Sequence, residues 1–502
     1  MTRIVRRPAL SRGSGRSRFA VASAHPLTTA VGLAILHSGG NAYDAALAMS
    51  AALPVVQPHM NGLGSDFFAV IRDGRSWAIN SSGPAGHLAS PERFRSLGHD
   101  RIPTRGPLSA ITVPGLVAAW PLLEDHASLR RKELFGPAIR IASEGFSVSR
   151  SLSRAARATR WADPDFRAIY GSLREGRVLR QPDLARSLAE ISQDGAHSFY
   201  HGRLAREICK DLGAKGGLLE LGDLEAFRPV RCHPMRVRYR EYVVETNPPP
   251  SQGATELVWF NLLARSDLAS ATEEEFVRSL VRTMYTAYGY RARCIGDPDC
   301  LTFPKELLRR SAVYDDDRPV VPRRLPVRSD TTAFSVFDGE VGISAIQSNY
   351  MGFGSGVSIR GTGINLNNRG SYFTLDPAHP NVLAPRKRTF HTLMATVASG
   401  PRLVLLGSMG GDIQPQVNVQ VLTRHLDRGL PLPAAIAAPR FAYPATVYGS
   451  AALRREPGLL FPEARLCPND PAAFGHAQGI SIGEKVEVGI DPRGDGLLPL
   501  PS

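Results

Sequence analysis

No run of about 18 apolar residues, the least that crosses a bilayer as a helix, occurs in the sequence, so no membrane segment is expected. No C-x-x-C pair occurs either. The five cysteines (Cys209, Cys232, Cys294, Cys300 and Cys467) are odd in number, and only Cys294 and Cys300 lie close together. That spacing argues against a zinc site and for free thiols in a reducing compartment. Acidic residues are missing from positions 1–18, which carry Arg3, Arg6, Arg7, Arg12, Arg16 and Arg18. A secretory signal would follow such charges with roughly 7–15 apolar residues. Here Ser-Arg-Gly-Ser-Gly-Arg-Ser-Arg follows instead. Residues 1–18 read as a flexible basic tail on a cytoplasmic protein, with a cleaved organellar transit peptide as the other reading.

What is present describes an ordinary globular chain. Its 502 residues are 43% hydrophobic and 21% charged, too long for most single cores and suited to two domains or one large one. The net charge of +14 comes mostly from arginine. Outside the tail and Arg318–Arg328 these residues are scattered, without a stripe of basic and aromatic side chains, so nucleic acid is not an expected partner.

Periodicity organises the chain. Residues 19–24 read as a buried strand, and a helix from Thr28 to Leu36 ends at Gly39-Gly40. Asn41 caps the next helix, whose Ala45, Ala46, Met49 and Leu53 recur at helical spacing until Pro54 stops it. Phe67–Ile71 and Trp77–Ile79 read as strands around an Asp73-Gly74 turn. Residues 110–230 are mainly helical, 234–246 read as strands, and 254–292 are helical again. A charged, proline-rich stretch at 315–330 reads as an exposed linker or a processing region. Beyond it, Phe334–Phe337 and Val341–Ile346 form a hairpin around Asp338-Gly339, and Leu403–Leu406 is a further buried strand. Strands in both halves with helices outside suit a layered α/β architecture.

Several segments, in order, carry a resemblance. Early in the chain these are Val21-Ala22-Ser23-Ala24-His25-Pro26-Leu27, Gly39–Ala46 and Pro58–Gly64. Val113-Pro114-Gly115, Pro248–Gly253 and Gly296–Asp299 follow, and the densest is Asp330-Thr331-Thr332-Ala333-Phe334-Ser335-Val336-Phe337-Asp338. Then come Gln347–Gly356, Leu366–Gly370, Pro385–Arg388 and Gly407-Ser408-Met409-Gly410-Gly411-Asp412. Together they resemble the γ-glutamyltranspeptidase family of N-terminal-nucleophile hydrolases, and within it the oxamate-amidohydrolase-like branch. The resemblance implies a four-layer αββα sandwich made as one chain. An autocatalytic cut between Asp330 and Thr331 would divide it into a large subunit (19–330) and a small subunit (331–502). It also implies the two subunits as each other's partners, a homodimer of processed heterodimers as one assembly, and no cofactor or metal.

The chemistry at the cut has a physical logic. A threonine hydroxyl is a weak nucleophile without an adjacent base. Once N-terminal, Thr331 carries its own, an α-amine with an ordinary pKa of about 7.7–8.0. A Thr-Thr pair also begins many plain strands, and Thr332 is the fallback nucleophile. Gly410-Gly411 after a buried strand can present two backbone N–H groups to an oxyanion, and the family uses its matching pair so. Ser348 matches a hydroxyl that, in the family, hydrogen-bonds the nucleophile. Gly352, Gly354 and Gly356 lack the Lys-Ser/Thr ending of a phosphate loop.

The substrate grip departs from the family's pattern. The segment that should carry an arginine for an α-carboxylate reads Asn80-Ser81-Ser82-Gly83-Pro84-Ala85-Gly86. No acidic residue for an α-amino group follows Asn367-Asn368, where Arg369 stands. His391-Thr392 replaces a hydroxyl pair, and Asn349 precedes the expected asparagine position, which Tyr350 fills. Asn349, Tyr350, Arg369, His391 and Thr392 are therefore the candidate substrate-binding residues, with Arg369 suited to a carboxylate on a different acyl group. The expectation is a hydrolase for a small acidic amide. Retained γ-glutamyl hydrolysis or transfer, and an inactive basic binding protein of the same fold, remain as alternatives. Beyond about residue 444 the match weakens, which puts the last strands in doubt.

Overall fold

The computed structural model describes residues 19–159, 161–314, 329–443, 452–468 and 471–496. The basic tail and residues 315–328 of the expected processing region lie outside them. In chain order the central strands are β1 (Ala20–Ser23), β2 (Asp66–Asp73), β3 (Arg75–Ser81), β4 (Val230–Cys232), β5 (Met235–Tyr239) and β6 (Tyr242–Thr246), then β7 (Ser329–Phe337), β8 (Gly342–Met351), β9 (Ala395–Ser399), β10 (Leu403–Met409), β11 (His476–Ile482) and β12 (Val486–Ile490). They form two six-stranded sheets, β1-β7-β8-β2-β3-β4 and β12-β11-β10-β9-β6-β5. Every neighbouring pair in both sheets is antiparallel.

Strand alternation builds the layers. Along β2, Phe67, Ala69 and Ile71 pack with the outer helices α1 (Pro26–His37) and α2 (Ala42–Val56), while Phe68 and Val70 face the second sheet. Along β10, Val404 and Leu406 pack with α3 (Gly253–Leu263), α4 (Glu273–Cys294) and α5 (Gln414–Leu426), and Leu405 faces inward. The layer between the sheets mixes large side chains such as Phe68, Leu393 and Leu405 with small ones, and the sheets approach closely where the small ones meet. A Cβ on Gly407 of β10 would meet the Ala333 Cβ of β7 at 2.6 Å. The result is the expected αββα sandwich.

Local signals explain most element ends. Asn41 caps α2 by accepting from the N–H groups of Tyr43 and Asp44, and the Asp44 carboxylate returns a bond to the Asn41 N–H. Two expectations need correction. Pro54 does not end α2, which continues to Val56. Proline cannot donate to the carbonyl four residues back, and Gln347 Nε2 supplies that donor to the Ser50 oxygen at 3.3 Å. The doubtful last strands are also present, with β11 and β12 completing one edge of the second sheet. All five cysteines are free thiols, and among the described residues no helix is long and apolar enough to cross a membrane.

Candidate active site

Thr331 lies near the start of β7, and alternation fixes where it points. Thr332 faces the helical layer, donating to Gln57 Oε1 at 2.9 Å and accepting from Asn61 Nδ2 at 3.0 Å. Ala333 faces the second sheet, so Thr331 faces it too. The Thr331 hydroxyl is buried and has no hydrogen-bond partner among the described residues. Strand β7 approaches the turn Gly411–Ile413 of the second sheet. The hydroxyl of Thr332 is engaged by side chains on the opposite face of the strand.

The partner strand breaks register at this point. Gln347 pairs with Thr332 and Tyr350 with Asp330, so Ser348 and Asn349 together oppose Thr331. This is a β-bulge, a device that re-aims side chains beside a site. Tyr350 takes the strain at φ +80°, and its N–H donates to Ser348 Oγ at 2.7 Å. On the far side Ser348 pairs with Asp66 of β2. Thr331, Ser348 and Asp66 thus form a row across three strands, about 10 Å long at two strand spacings.

Asp66 belongs to a buried charged cluster that also holds Arg369, His391 and Thr392. Its Oδ2 accepts from His391 Nε2 at 2.9 Å and lies 3.8 Å from Arg369 Nε. The Leu393 N–H donates to His391 Nδ1 at 3.1 Å, which fixes the neutral tautomer with its proton on Nε2. Burial, with Arg369 nearby, holds His391 well below the ordinary histidine range. Burial pushes the Asp66 carboxyl up to about 7, against the opposing pull of Arg369 and the Gly115 and Gly83 N–H groups. Arg369 Nη1 donates to Thr392 Oγ1 at 3.1 Å, and its guanidinium carbon stands 4.2 Å over the Tyr350 ring. Arg369 is 1% exposed, yet among the described residues its Nε and Nη2 donate no hydrogen bond. Such unmet donors are costly.

The diglycine turn follows β10 and leads into α5. Gly410 (φ +144°) and Gly411 (φ +57°) adopt conformations that favour glycine. They lie past the last ladder pair, Met409 with His476, so the sheet does not consume their N–H groups. The positive end of the α5 dipole adds to the field there. Gln252 Nε2 donates to the carbonyls of Gly411 (2.8 Å) and Thr392 (2.7 Å), tying the turn to the charged cluster. The next carboxylate, Asp412, accepts from Arg291 at 2.8 Å and from the Tyr372 hydroxyl at 2.6 Å.

The structure therefore gathers Arg369 and His391 on Asp66, which is in register with Ser348 and Thr331, sets Tyr350 and Thr392 against Arg369, and clamps Gly411 to Thr392. Asn349 is turned elsewhere: Ser65 Oγ donates to its Oδ1 at 2.8 Å. The side chain of Asp330 lies outside the described residues. Sequence reasoning missed Asp66, Gln252 as a clamp, and the Arg291–Asp412 pair.

A match to the gamma-glutamyltranspeptidase family model runs over residues 28–497. The chain belongs to this family. Family membership makes it an enzyme of the N-terminal-nucleophile hydrolase and transferase class. The glutathione hydrolase-like YwrD proenzyme of Bacillus subtilis is 35% identical, over 95% of this chain and 97% of its own. The oxamate amidohydrolase proenzyme of Klebsiella pneumoniae is 36% identical over 83% of each. Among solved structures, the cephalosporin acylase from Bacillus halodurans superposes with a TM-score of 0.87 at 30% identity, covering 99% of this chain and 98% of that one. These gamma-glutamyltranspeptidase-family relatives include proenzymes, in keeping with synthesis as one precursor.

Proposed function

We propose that the chain cuts itself between Asp330 and Thr331 and then hydrolyses a small amide bearing a second, carboxylate group. The observation that carries this reading is Arg369, a buried cation with two unmet donors, beside Asp66, which stands about two strand spacings from Thr331. A carboxylate presents two oxygens to such a fork. A relative that hydrolyses oxamate, itself a small amide with a carboxylate, is consistent with it.

In the first step Thr331 Oγ1 attacks the Asp330 carbonyl, the peptide nitrogen leaves as the new α-amine, and water opens the resulting ester. In turnover the amine takes the hydroxyl proton as Oγ1 attacks the substrate amide. The N–H groups of Gly410 and Gly411 receive the oxyanion, and Ser348, opposite in the bulge, supports the nucleophile. The amine returns the proton to the departing nitrogen, leaving an ester on Thr331. Water, deprotonated by the same amine, releases the acid. Thr392, His391 and Tyr350 hold Arg369 and Asp66 in place.

The test is direct. Denaturing gels should show two fragments, the smaller beginning Thr-Thr-Ala-Phe-Ser. On processed enzyme, amides of short dicarboxylic or oxo acids should turn over faster than γ-glutamyl anilides, and esterifying the distal carboxylate should raise KM about 100-fold. A chain that never cuts, or one that prefers γ-glutamyl anilides and ignores the distal carboxylate, overturns the reading.

A further inference from the structure

The charged cluster holds one cation and one carboxylate, with no room for a second anion unless a proton enters. Asp66, Arg369 and His391 are each at most 1% exposed. With His391 neutral and Asp66 ionised, the cluster carries no net charge before a ligand arrives. A ligand carboxylate on Arg369 Nε and Nη2 would bring a second negative charge within a few ångströms of Asp66, where water cannot screen it.

We propose that Asp66 makes recognition proton-linked, its carboxyl taking one proton from solvent when a ligand carboxylate docks on Arg369 and returning it on release. The inference rests on the reading of Arg369 as the carboxylate site.

Geometry selects Asp66 over its neighbours. His391 cannot accept the proton without losing the Leu393 N–H on Nδ1, and it already gives its Nε2 proton to Asp66 Oδ2. Asp66 Oδ1 makes no hydrogen bond of good geometry among the described residues, although the Gly83 and Gly115 N–H groups lie near the carboxylate. A proton there leaves the His391 bond on Oδ2 intact and offers the ligand a donor beside the guanidinium. The other groups facing Asp66 do not compete. The Tyr200 hydroxyl, which feels the Asp66 charge, donates to the Pro114 carbonyl at 2.7 Å. Ser348 is its neutral cross-strand neighbour, and the N–H groups of Gly83 and Gly115 favour the ionised form only in part. Burial holds the unliganded carboxyl at about 7, so near pH 8 the site is mostly ionised and ready to take up a proton. Asp66 is thus a specificity-determining residue: it favours ligands whose carboxylate can share a proton, and it weakens their binding as pH rises.

Titration calorimetry of processed protein with succinate, near pH 8 in HEPES and in Tris, reads the proton count from the difference in buffer ionisation heat. The expected result is uptake of about one proton per succinate, with affinity falling tenfold per pH unit above about pH 7. Asp66→Asn should bind succinate with neither the buffer difference nor the pH slope. Wild-type binding whose heat is the same in both buffers overturns the proton linkage while leaving the Arg369 site standing. No succinate binding at any pH removes the Arg369 reading and this inference with it.

Discussion

Arg369 offers a sharp way to separate a substrate-binding arginine from a structural one, because the two roles predict opposite stability changes. Consider Arg369→Met, which keeps the stem and removes the charge. The substitution relieves two buried donors that bond to nothing, each costing about 1–3 kcal/mol. It loses one bond to the neutral Thr392 hydroxyl, worth roughly 1.5–3 kcal/mol for a charged donor. It also loses a stacked contact on Tyr350, worth up to about 2 kcal/mol when buried. The ion pair to Asp66 is long at 3.8 Å, and Asp66 can protonate once its cation is gone. These contributions nearly cancel, leaving a change within about 2 kcal/mol of zero. Arg440 is the control. It is equally buried but engages Asp491 at 2.6 Å and the carbonyls of Ile436, Phe474 and Gly475. Removing it takes the nearer of two arginine partners from the buried Asp491, leaving only Arg493 at 2.9 Å, and Arg440→Met should cost about 3–5 kcal/mol. Thermal melts of both variants beside wild type, with KM for a carboxylate-bearing amide, decide the matter. Arg369→Met should melt close to wild type while KM rises about 100-fold. If it melts as low as Arg440→Met and KM is unchanged, the arginine is structural and the substrate assignment is wrong.

Thr331→Ala should remain one band on a denaturing gel and show no turnover, whereas Thr331→Ser should still be cut. Thr332→Val should also be cut, but losing its bonds to Gln57 and Asn61 should cost about 2 kcal/mol in a melt; failure to process would return Thr332 to candidacy. Gly410→Ala forces a side chain to φ +144°, with its Cβ 2.6 Å from Ile413 Cγ1. It should lower kcat about 100-fold by displacing an oxyanion donor, and wild-type kcat would clear the turn of that role. Glu256 is buried with Oε1 unpartnered, and burial pushes it up to about 8. The fold then holds a proton that the unfolded chain releases, so its stability is full below the unfolded value near 4.5 and declines as pH rises towards 8. Glu256→Gln should match wild type near pH 4.5 and exceed it by a few kcal/mol near pH 9; parallel melting curves across that range would refute the buried-proton account.

Much of the layering was legible because strand alternation and helix caps are local. Asn41 announces α2, Asp73-Gly74 announces a hairpin, and the hairpin before Ser348 announces β7 and β8. What escaped depended on distant neighbours. Pro54 reads as a stop until Gln347 is seen donating to the carbonyl that proline leaves bare. Asp66 reads as a polar residue ahead of a strand until Arg369 and His391 close over it. The bulge at Ser348-Asn349 is a matter of register, which one strand's sequence does not contain. Strands β11 and β12 were masked by glycines that packing demands. A Cβ on Gly479 would lie 2.7 Å from the Leu405 oxygen, and one on Gly489 would lie 2.5 Å from Ile436 Cδ1. Glycine weakens a strand signal even where only glycine fits.

The strand order explains how a chain of this design could be cut at Thr331 and stay whole. In the first sheet β8 and all of β7 from Thr331 onward, beyond the proposed cut, lie between β1 and β2 from before it. In the second sheet β6, which carries β5 on its other edge, comes from before the proposed cut and pairs with β9 from beyond it. Each fragment alone would carry open sheet edges and half of an interlayer core that Ala22, Phe68, Ala333 and Leu405 fill jointly. Scission of one peptide bond removes none of those contacts, so the fragments are held by the whole fold. The groups of the candidate site divide in the same way: Thr331, Ser348, Arg369 and the diglycine follow the proposed cut, while Asp66 and Gln252 precede it. The uncut chain brings them together, which is the order that the proposed self-cleavage by Thr331 requires.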